Sequence, residues 1–210
     1  MDAMSAEAII AAAAGPSIIV PLTSIVERLE LPRLFTKHQP MEVELGSGDG
    51  NFLIAWAQMH PETNFIGVER LLGRLRKIEK KGRRAGLVNL RAVRIEASYF
   101  MKYLLPPGSA QAAHIYFPDP WPKRRHWRRR LINAEFTAIV AQALTPGGKV
   151  FLRTDDAHYF AQMTAVFEGN PHFERTTTPT ELSALLTDFE RDFQAKGVAT
   201  LSAAFELTNT

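Results

Sequence analysis

The chain has 210 residues, of which 46% are hydrophobic and 22% charged, and it contains no cysteine. That composition fits one soluble globular domain with at most a small appendage, and the missing thiol excludes disulfide frameworks, thiolate metal sites and cysteine nucleophiles. The formal net charge is only +3, yet eight Lys or Arg stand between Arg70 and Arg84 against Glu79 alone, and six more from Lys123 to Arg130 meet no acid, a segregation that points to a polyanionic partner.

Residues 1–40 show no clear strand, and Pro16, Pro21, Pro32 and Pro40 break them into short pieces expected to pack as an extension beside a main domain at 41–210. The apolar run 8–14 ends at Gly15 and Pro16, is too short to cross a bilayer, and follows Asp2 and Glu7 rather than basic residues. A cytoplasmic protein with no membrane attachment is expected. From Met41 onward short apolar strands alternate with amphipathic helices, the pattern of a doubly wound, mostly parallel, Rossmann-like α/β sheet. Strands are predicted at 41–45, 64–68, 90–95, 112–117 and 149–153, and helices at 51–59, 71–85, 98–104, 131–144 and 157–167. In the fourth helix Ile132, Phe136, Ile139, Val140 and Ala143 recur at helical spacing, and Thr145, Pro146, Gly147 and Gly148 stop it. The stretch 198–207 alternates weakly and can add strands. The six histidines are scattered with no H-x-x-x-H spacing, so no metal is expected.

The first predicted strand runs into Glu44-Leu45-Gly46-Ser47-Gly48-Asp49-Gly50 and then a helix. Glycines there let backbone approach a ligand at the carboxyl edge of the sheet, where open α/β folds bind. The dinucleotide fingerprint would need glycine at the position held by Asn51, and no G-x-x-x-x-G-K-[ST] occurs, so pyrophosphate and triphosphate sites lack support. An acid-x-G-x-G-x-G turn with a second acid closing the next strand is the arrangement of class I methyltransferases that bind S-adenosylmethionine. Glu44 and Glu69 stand in those places. Glu69 is placed to accept hydrogen bonds from both ribose hydroxyls, each worth roughly 1.5–3 kcal/mol, and Glu44 to face the methionine end, with Gly46 and Gly48 leaving room. A tight turn plus a solvated acid accounts equally well for the glycines alone. Glu96, closing the third strand, suits either the adenine amino group or the N-terminus of the next helix.

The fourth strand opens into Pro118-Asp119-Pro120-Trp121-Pro122, followed by Lys123, Arg124, Arg125, His126, Trp127, Arg128, Arg129 and Arg130. Three prolines in five residues hold the loop extended, so Asp119 and Trp121 are placed in advance. A carboxylate beside a flat aromatic can hydrogen-bond a purine edge while the indole stacks. A stiff turn and a solvated helix start are the bland alternative, but an acid-free basic run interleaved with aromatics suits RNA better.

On these residues the chain resembles the bacterial tRNA (guanine-N7)-methyltransferases over roughly 31–205. The distinctive piece is F-P-D-P-W-P-K-R-R-H-W-R-R-R-L; Leu152-Arg153-Thr154-Asp155 and Thr187-Asp188-Phe189-Glu190 with Phe193 and Gly197 also fit. The resemblance implies S-adenosylmethionine held by Glu44, Glu69, Glu96 and Asp119, and substrate contacts from Lys123, Asp155, Thr187, Asp188, Phe189 and Glu190. It also implies a catalytic role for Asp119 and a tRNA substrate methylated in its variable loop. Arg124, Arg125, His126, Arg128, Arg129 and Arg130 are the expected RNA contacts. Two features depart from the family pattern: Asp188 stands where a basic residue is common, and 1–30 contains only Arg28 where many members carry an arginine-rich stretch. Without the resemblance, Asp155 and Glu190 read as a helix-starting acid and a surface acid. Pro-Asp-Pro-Trp is also similar to the D-P-P-Y type loops of amino-group methyltransferases, which leaves another RNA base or a protein side chain as rival substrates. A non-catalytic RNA-binding relative is the third reading.

Overall fold

The computed structural model describes residues 17–208. Eight strands form one sheet: β1 (Ile19–Val20), β2 (Met41–Leu45), β3 (Asn64–Val68), β4 (Leu90–Val93), β5 (Ala110–Tyr116), β6 (Leu144–Thr154), β7 (Phe173–Thr176) and β8 (Leu201–Leu207). Their order is β1-β4-β3-β2-β5-β6-β8-β7, with parallel pairing from β1 to β6 and antiparallel pairing from β6 through β8 to β7. The central strands are buried on both faces, which is why Val43, Phe65, Ile66, Ala113 and Ile115 leave no polar alternation to read.

The helices are α1 (Leu31–Leu34), α2 (Asn51–Met59), α3 (Leu72–Arg84), α4 (Ala97–Tyr99, continuing as a π-turn through Phe100–Leu104), α5 (Ala134–Ala143), α6 (Ala157–Glu168), α7 (Thr180–Ala184) and α8 (Asp188–Gln194). On one sheet face Phe100, Phe136, Ile139, Tyr159, Met163 and Phe167 build a core. On the other, Phe52, Trp56, Leu75, Ile78 and Leu182 build a second. From β2 the chain pairs with β3 on one side and β5 on the other. This reversal opens a crevice at the carboxyl ends of β2 and β5, the place where doubly wound sheets bind ligands.

Several elements differ from the predicted ones. Residues 17–40 contain β1, which pairs with the open edge of β4 and is tied there by Ala92 N–H donating to the Ile18 carbonyl (2.7 Å). Two residues cannot show a period, so only the partner edge makes this a strand. The predicted helix 131–144 starts at Ala134, because the Asn133 side chain caps it by accepting from Phe136 N–H (3.0 Å). The basic run after β5 folds as a 3-10 helix, Arg124–Arg129, and β7 was not predicted. The apolar run 8–14 lies outside the described residues. Among the described residues no helix is long and apolar enough to cross a membrane.

Candidate active site

Beyond β2 the chain turns through Gly46, Gly48 and Gly50 at φ of 81°, 56° and 77°, a region L-residues enter only with strain. The three glycines do different work. A Cβ on Gly50 would meet Ile78 Cγ1 at 2.6 Å, so this glycine lets α3 pack against the turn, whereas Gly46 and Gly48 face open space. Beneath them Gly67 of β3 lets the turn sit down: a Cβ there would lie 2.8 Å from Ser47 Oγ, and Gly46 and Ser47 N–H both donate to the Val68 carbonyl (2.8 and 3.0 Å). Glu69 fastens the far side. Its Oε2 accepts from Gly48 N–H (3.0 Å) and its Oε1 from Leu71 N–H (2.8 Å). Each oxygen keeps a second lone pair for a ligand hydroxyl.

Glu44 lies at the bottom of the cleft, 4% exposed. Its Oε2 has no hydrogen-bond partner. Burial pushes its carboxyl up to about 8; the Ser47 hydroxyl and Arg153 pull the other way, and the nearby Glu69 charge pushes further up. An orphaned buried acceptor facing a glycine cradle is an unsatisfied demand for a cationic or hydrogen-donating ligand. Tyr116, Phe117, Asn51 and Thr187–Phe189 complete the cleft walls. Tyr116 is held by a buried chain in which its hydroxyl lies 2.8 Å from His114 Nδ1, and His114 Nε2 lies 2.9 Å from Glu42 Oε2. Trp56 Nε1–H donates to the same Glu42 oxygen (2.9 Å). Burial alone would raise the Glu42 carboxyl, but the His114 and Trp56 contacts outweigh it and hold it low, while burial lifts the Tyr116 hydroxyl well above its usual range.

The lid over this cleft is the segment around α8, and Arg153 anchors it. From the end of β6 its buried guanidinium donates to Glu190 Oε2 (2.8 Å), to the Leu185 carbonyl (2.9 Å) and to the Leu182 carbonyl. It also lies 4.5 Å from the Tyr116 ring centroid. Thr187 and Glu190 form a reciprocal capping box at the start of α8. Glu190 is therefore buried and consumed by Arg153 and Thr187 N–H (2.7 Å), which makes it a holder of the lid; the surface acid read from sequence is instead part of the interior. Phe189 packs on Phe117 and Phe193. Asp188 accepts from Asn51 Nδ2 (2.6 Å) and Arg191 (2.7 Å); partial burial would raise its carboxyl, but these bonds outweigh it and hold it low.

At the end of β5, Phe117 and Trp121 sit at φ of 50° and 44°, bracketing Pro118-Asp119-Pro120. Left-handed backbone at two bulky residues stores strain of about 1–3 kcal/mol each, the kind of outlier found where a side chain must be aimed. Asp119 is exposed, its nearest partner being Trp121 N–H at 3.5 Å. Asp155 is exposed at the end of β6, because the neighbouring Asp156, not Asp155, caps α6 by accepting from Tyr159 N–H (2.7 Å). Lys123, Arg124, Arg125, Arg128 and Arg129 are exposed, and His126 meets Trp121 edge-on. Arg130, expected among the RNA contacts, is 3% exposed instead. It donates to the Pro120 carbonyl (2.7 Å) and Gln162 Oε1 (2.6 Å) and stacks on Trp127 and Tyr159, bracing the loop from within. Glu96 is exposed and accepts from Ser98 and Tyr99 N–H (2.9 and 2.8 Å), so its carboxylate caps α4 at the sheet edge where the adenine contact was expected.

The structure brings Glu44, Gly46, Gly48, Thr187, Asp188 and Phe189 together around one cleft, with Glu69 bonded to its Gly48 rim. The sequence alone assigned no role to Arg153, Tyr116 and Asn51. Arg153 had a readable signal, a charged residue within an otherwise apolar strand.

A parallel sheet whose strand order reverses at β2, a glycine turn and an acid after β3, with the antiparallel β8 inserted between β6 and β7, define a class I S-adenosylmethionine-dependent methyltransferase. Residues 38–203 match a family model described as putative methyltransferase. A tRNA (guanine-N(7)-)-methyltransferase of Alkalilimnicola ehrlichii is 33% identical over 179 residues, covering 85% of this chain and 76% of the relative. One of Thiobacillus denitrificans is 35% identical over 180 residues, covering 84% and 78%. The chain belongs to the tRNA (guanine-N7)-methyltransferase family. Among solved structures, the 16S rRNA methyltransferase KamB shares the fold at a TM-score of 0.63 and 14% identity, covering 87% of this chain and 95% of that one.

Proposed function

We propose that this chain methylates N7 of a guanine in the variable loop of tRNA, with the donor in the Glu44–Glu69 cleft and the guanine presented between Asp119 and Asp155. The observation that carries the reading is the orphaned Glu44 oxygen under the open Gly46–Gly48 turn, at the same sheet edge as two exposed carboxylates and a cationic loop. S-adenosylmethionine, when bound, supplies an electrophilic methyl group on a sulfonium centre. Glu44 meets its ammonium end, and Glu69 its ribose hydroxyls. Gly46 and Gly48 keep side chains out of the space it needs.

Guanine N7 carries an in-plane lone pair and no proton, so no residue has to act as a base, and the protein's contribution is orientation and charge. Asp119, aimed by the strained Phe117 and Trp121 backbone, accepts from the imino and amino hydrogens of guanine and offsets the positive charge that grows on the ring. Asp155 flanks the same space. The exposed cations Lys123 to Arg129 hold phosphates on either side of the target base. Incubation of purified protein with labelled donor and unmodified tRNA, followed by mass spectrometry of the nucleosides and of nuclease fragments, tests this directly. The expected product is 7-methylguanosine in the variable-loop fragment; a different nucleoside, a different fragment or no incorporation overturns it.

A further inference from the structure

The basic loop after β5 accounts for only part of the segregated charge. Between Arg70 and Arg84 the sole acid is Glu79, and it is turned toward the sheet edge. Its Oε2 accepts from Ile19 N–H (2.7 Å) and Ser17 Oγ (3.3 Å), leaving Oε1 to Arg83 (3.4 Å). Lys77 pairs with Asp49 (2.7 Å), and Lys81 bonds the Asp49 carbonyl and Asn51 Oδ1. The side chains of Arg70, Arg74, Arg76, Lys80 and Arg84 are exposed and make no hydrogen bond, ion pair or ring contact with any described residue.

Helix geometry lines up three of these. Arg76, Lys80 and Arg84 repeat every fourth residue and form one row of about 12 Å at 1.5 Å per residue. The row lies on the face opposite the buried Leu75, Ile78 and Gly82. Like charges at this spacing destabilise a helix, so helix stability does not account for them. The N-terminal half of α3 opens onto the active-site cleft: Arg74 and Lys77 border the same groove as Gly48 and Phe189. α3 packs in one core layer, with Leu75 and Ile78, while the basic loop is braced by Arg130 on Tyr159 in the other. The two cationic surfaces therefore flank the cleft from opposite faces of the sheet.

We propose that the outer face of α3 is a second phosphate-binding surface for the tRNA, so that the substrate backbone is gripped on both sides of the cleft. This rests on tRNA being the substrate. Its test is the triple variant Arg76→Gln, Lys80→Gln, Arg84→Gln in the full chain, which keeps good helix formers at all three positions. The dependence of tRNA affinity on salt is measured beside donor affinity, melting temperature and single-turnover rate at saturating tRNA. Three lost phosphate contacts lower the slope of log K against log salt by about 2–2.7, which amounts to a factor of about 20–40 in affinity between 50 and 200 mM salt. Donor affinity and the saturated rate stay at wild-type values. An unchanged slope and affinity, in a preparation whose wild type methylates tRNA, overturns the inference and leaves the proposed function standing. A wild type that neither binds nor methylates tRNA removes both. Loss of binding to phosphatidylglycerol vesicles without loss of tRNA affinity also overturns it, in favour of a membrane surface.

Discussion

Replacing Glu44 with Gln removes a charge that the folded chain holds at a cost. In the unfolded chain this carboxyl titrates near 4.5, and in the fold burial lifts it to about 8. Between those values the folded state binds the extra proton, so stability falls as pH rises through the window and levels off above pH 8. At 1.36 kcal/mol per unit the full excursion is a ceiling of about 4–5 kcal/mol. Gln carries no proton to lose, so Glu44→Gln should match wild type near pH 4.5 and exceed it progressively toward pH 8. Donor binding should move the other way. A ligand ammonium favours ionised Glu44, so wild-type affinity rises with pH up to about tenfold per unit below pH 8, with uptake of donor releasing a proton. Urea unfolding at pH 5, 6.5 and 8 measures the first effect. Calorimetry with S-adenosylmethionine in two buffers of different ionisation enthalpy measures the second. A Glu44→Gln variant no more stable than wild type at pH 8, or donor binding without proton release, refutes the reasoning.

Asp119→Asn should preserve folding and weaken tRNA binding less than it slows single-turnover methylation, which should fall by about 10²–10³, the worth of one fixed charge once the bound tRNA excludes water from it; a near-wild-type rate makes Asp119 a turn residue. Gly46→Ala meets no protein atom but places a methyl in the donor's space at φ 81°, so calorimetry should show donor affinity lost well beyond the 1–2 kcal/mol of backbone strain seen in unfolding. Arg153→Met strands the buried Glu190 carboxylate, and denaturation should register a loss of about 3–5 kcal/mol together with weaker donor binding as the lid loosens; the same stability as wild type would discount the anchor. Arg130→Ala should lower the melting temperature and leave the salt slope of tRNA binding unchanged, whereas neutralising Lys123, Arg124, Arg125, Arg128 and Arg129 should reduce that slope by about 3.5–4.5; the reverse pattern would return Arg130 to the RNA surface.

The pattern that placed β2, β3 and the glycine turn was local. Short apolar runs, an acid-x-G-x-G-x-G turn and an acid directly after the next apolar run are each carried by residues adjacent in the chain, so Glu44 and Glu69 were legible without coordinates. The three-proline loop after β5 was legible for the same reason, since proline restricts its own backbone wherever it stands. What could not be read is how far each charged side chain is buried, because burial depends on what the rest of the chain brings to it. Arg130 and Arg129 are adjacent and chemically identical, yet Tyr159 and Gln162 of α6 draw one inside and leave the other in solvent. Glu190 reads as a surface acid until Arg153 arrives from β6, 37 positions earlier, to meet it. Glu96 offered two roles in sequence, and in the fold its two oxygens take the backbone of Ser98 and Tyr99. β1 exists only because β4 has an open edge. The sequence by itself determined the five parallel strands β2 to β6, the turn and the residue types at their carboxyl edge; the tertiary structure alone decided the outer strands, which charges face a ligand and which hold the fold, because an edge pairing or a long-range ion pair is chosen by proximity and desolvation, and neither is a property of a residue's neighbours in the chain.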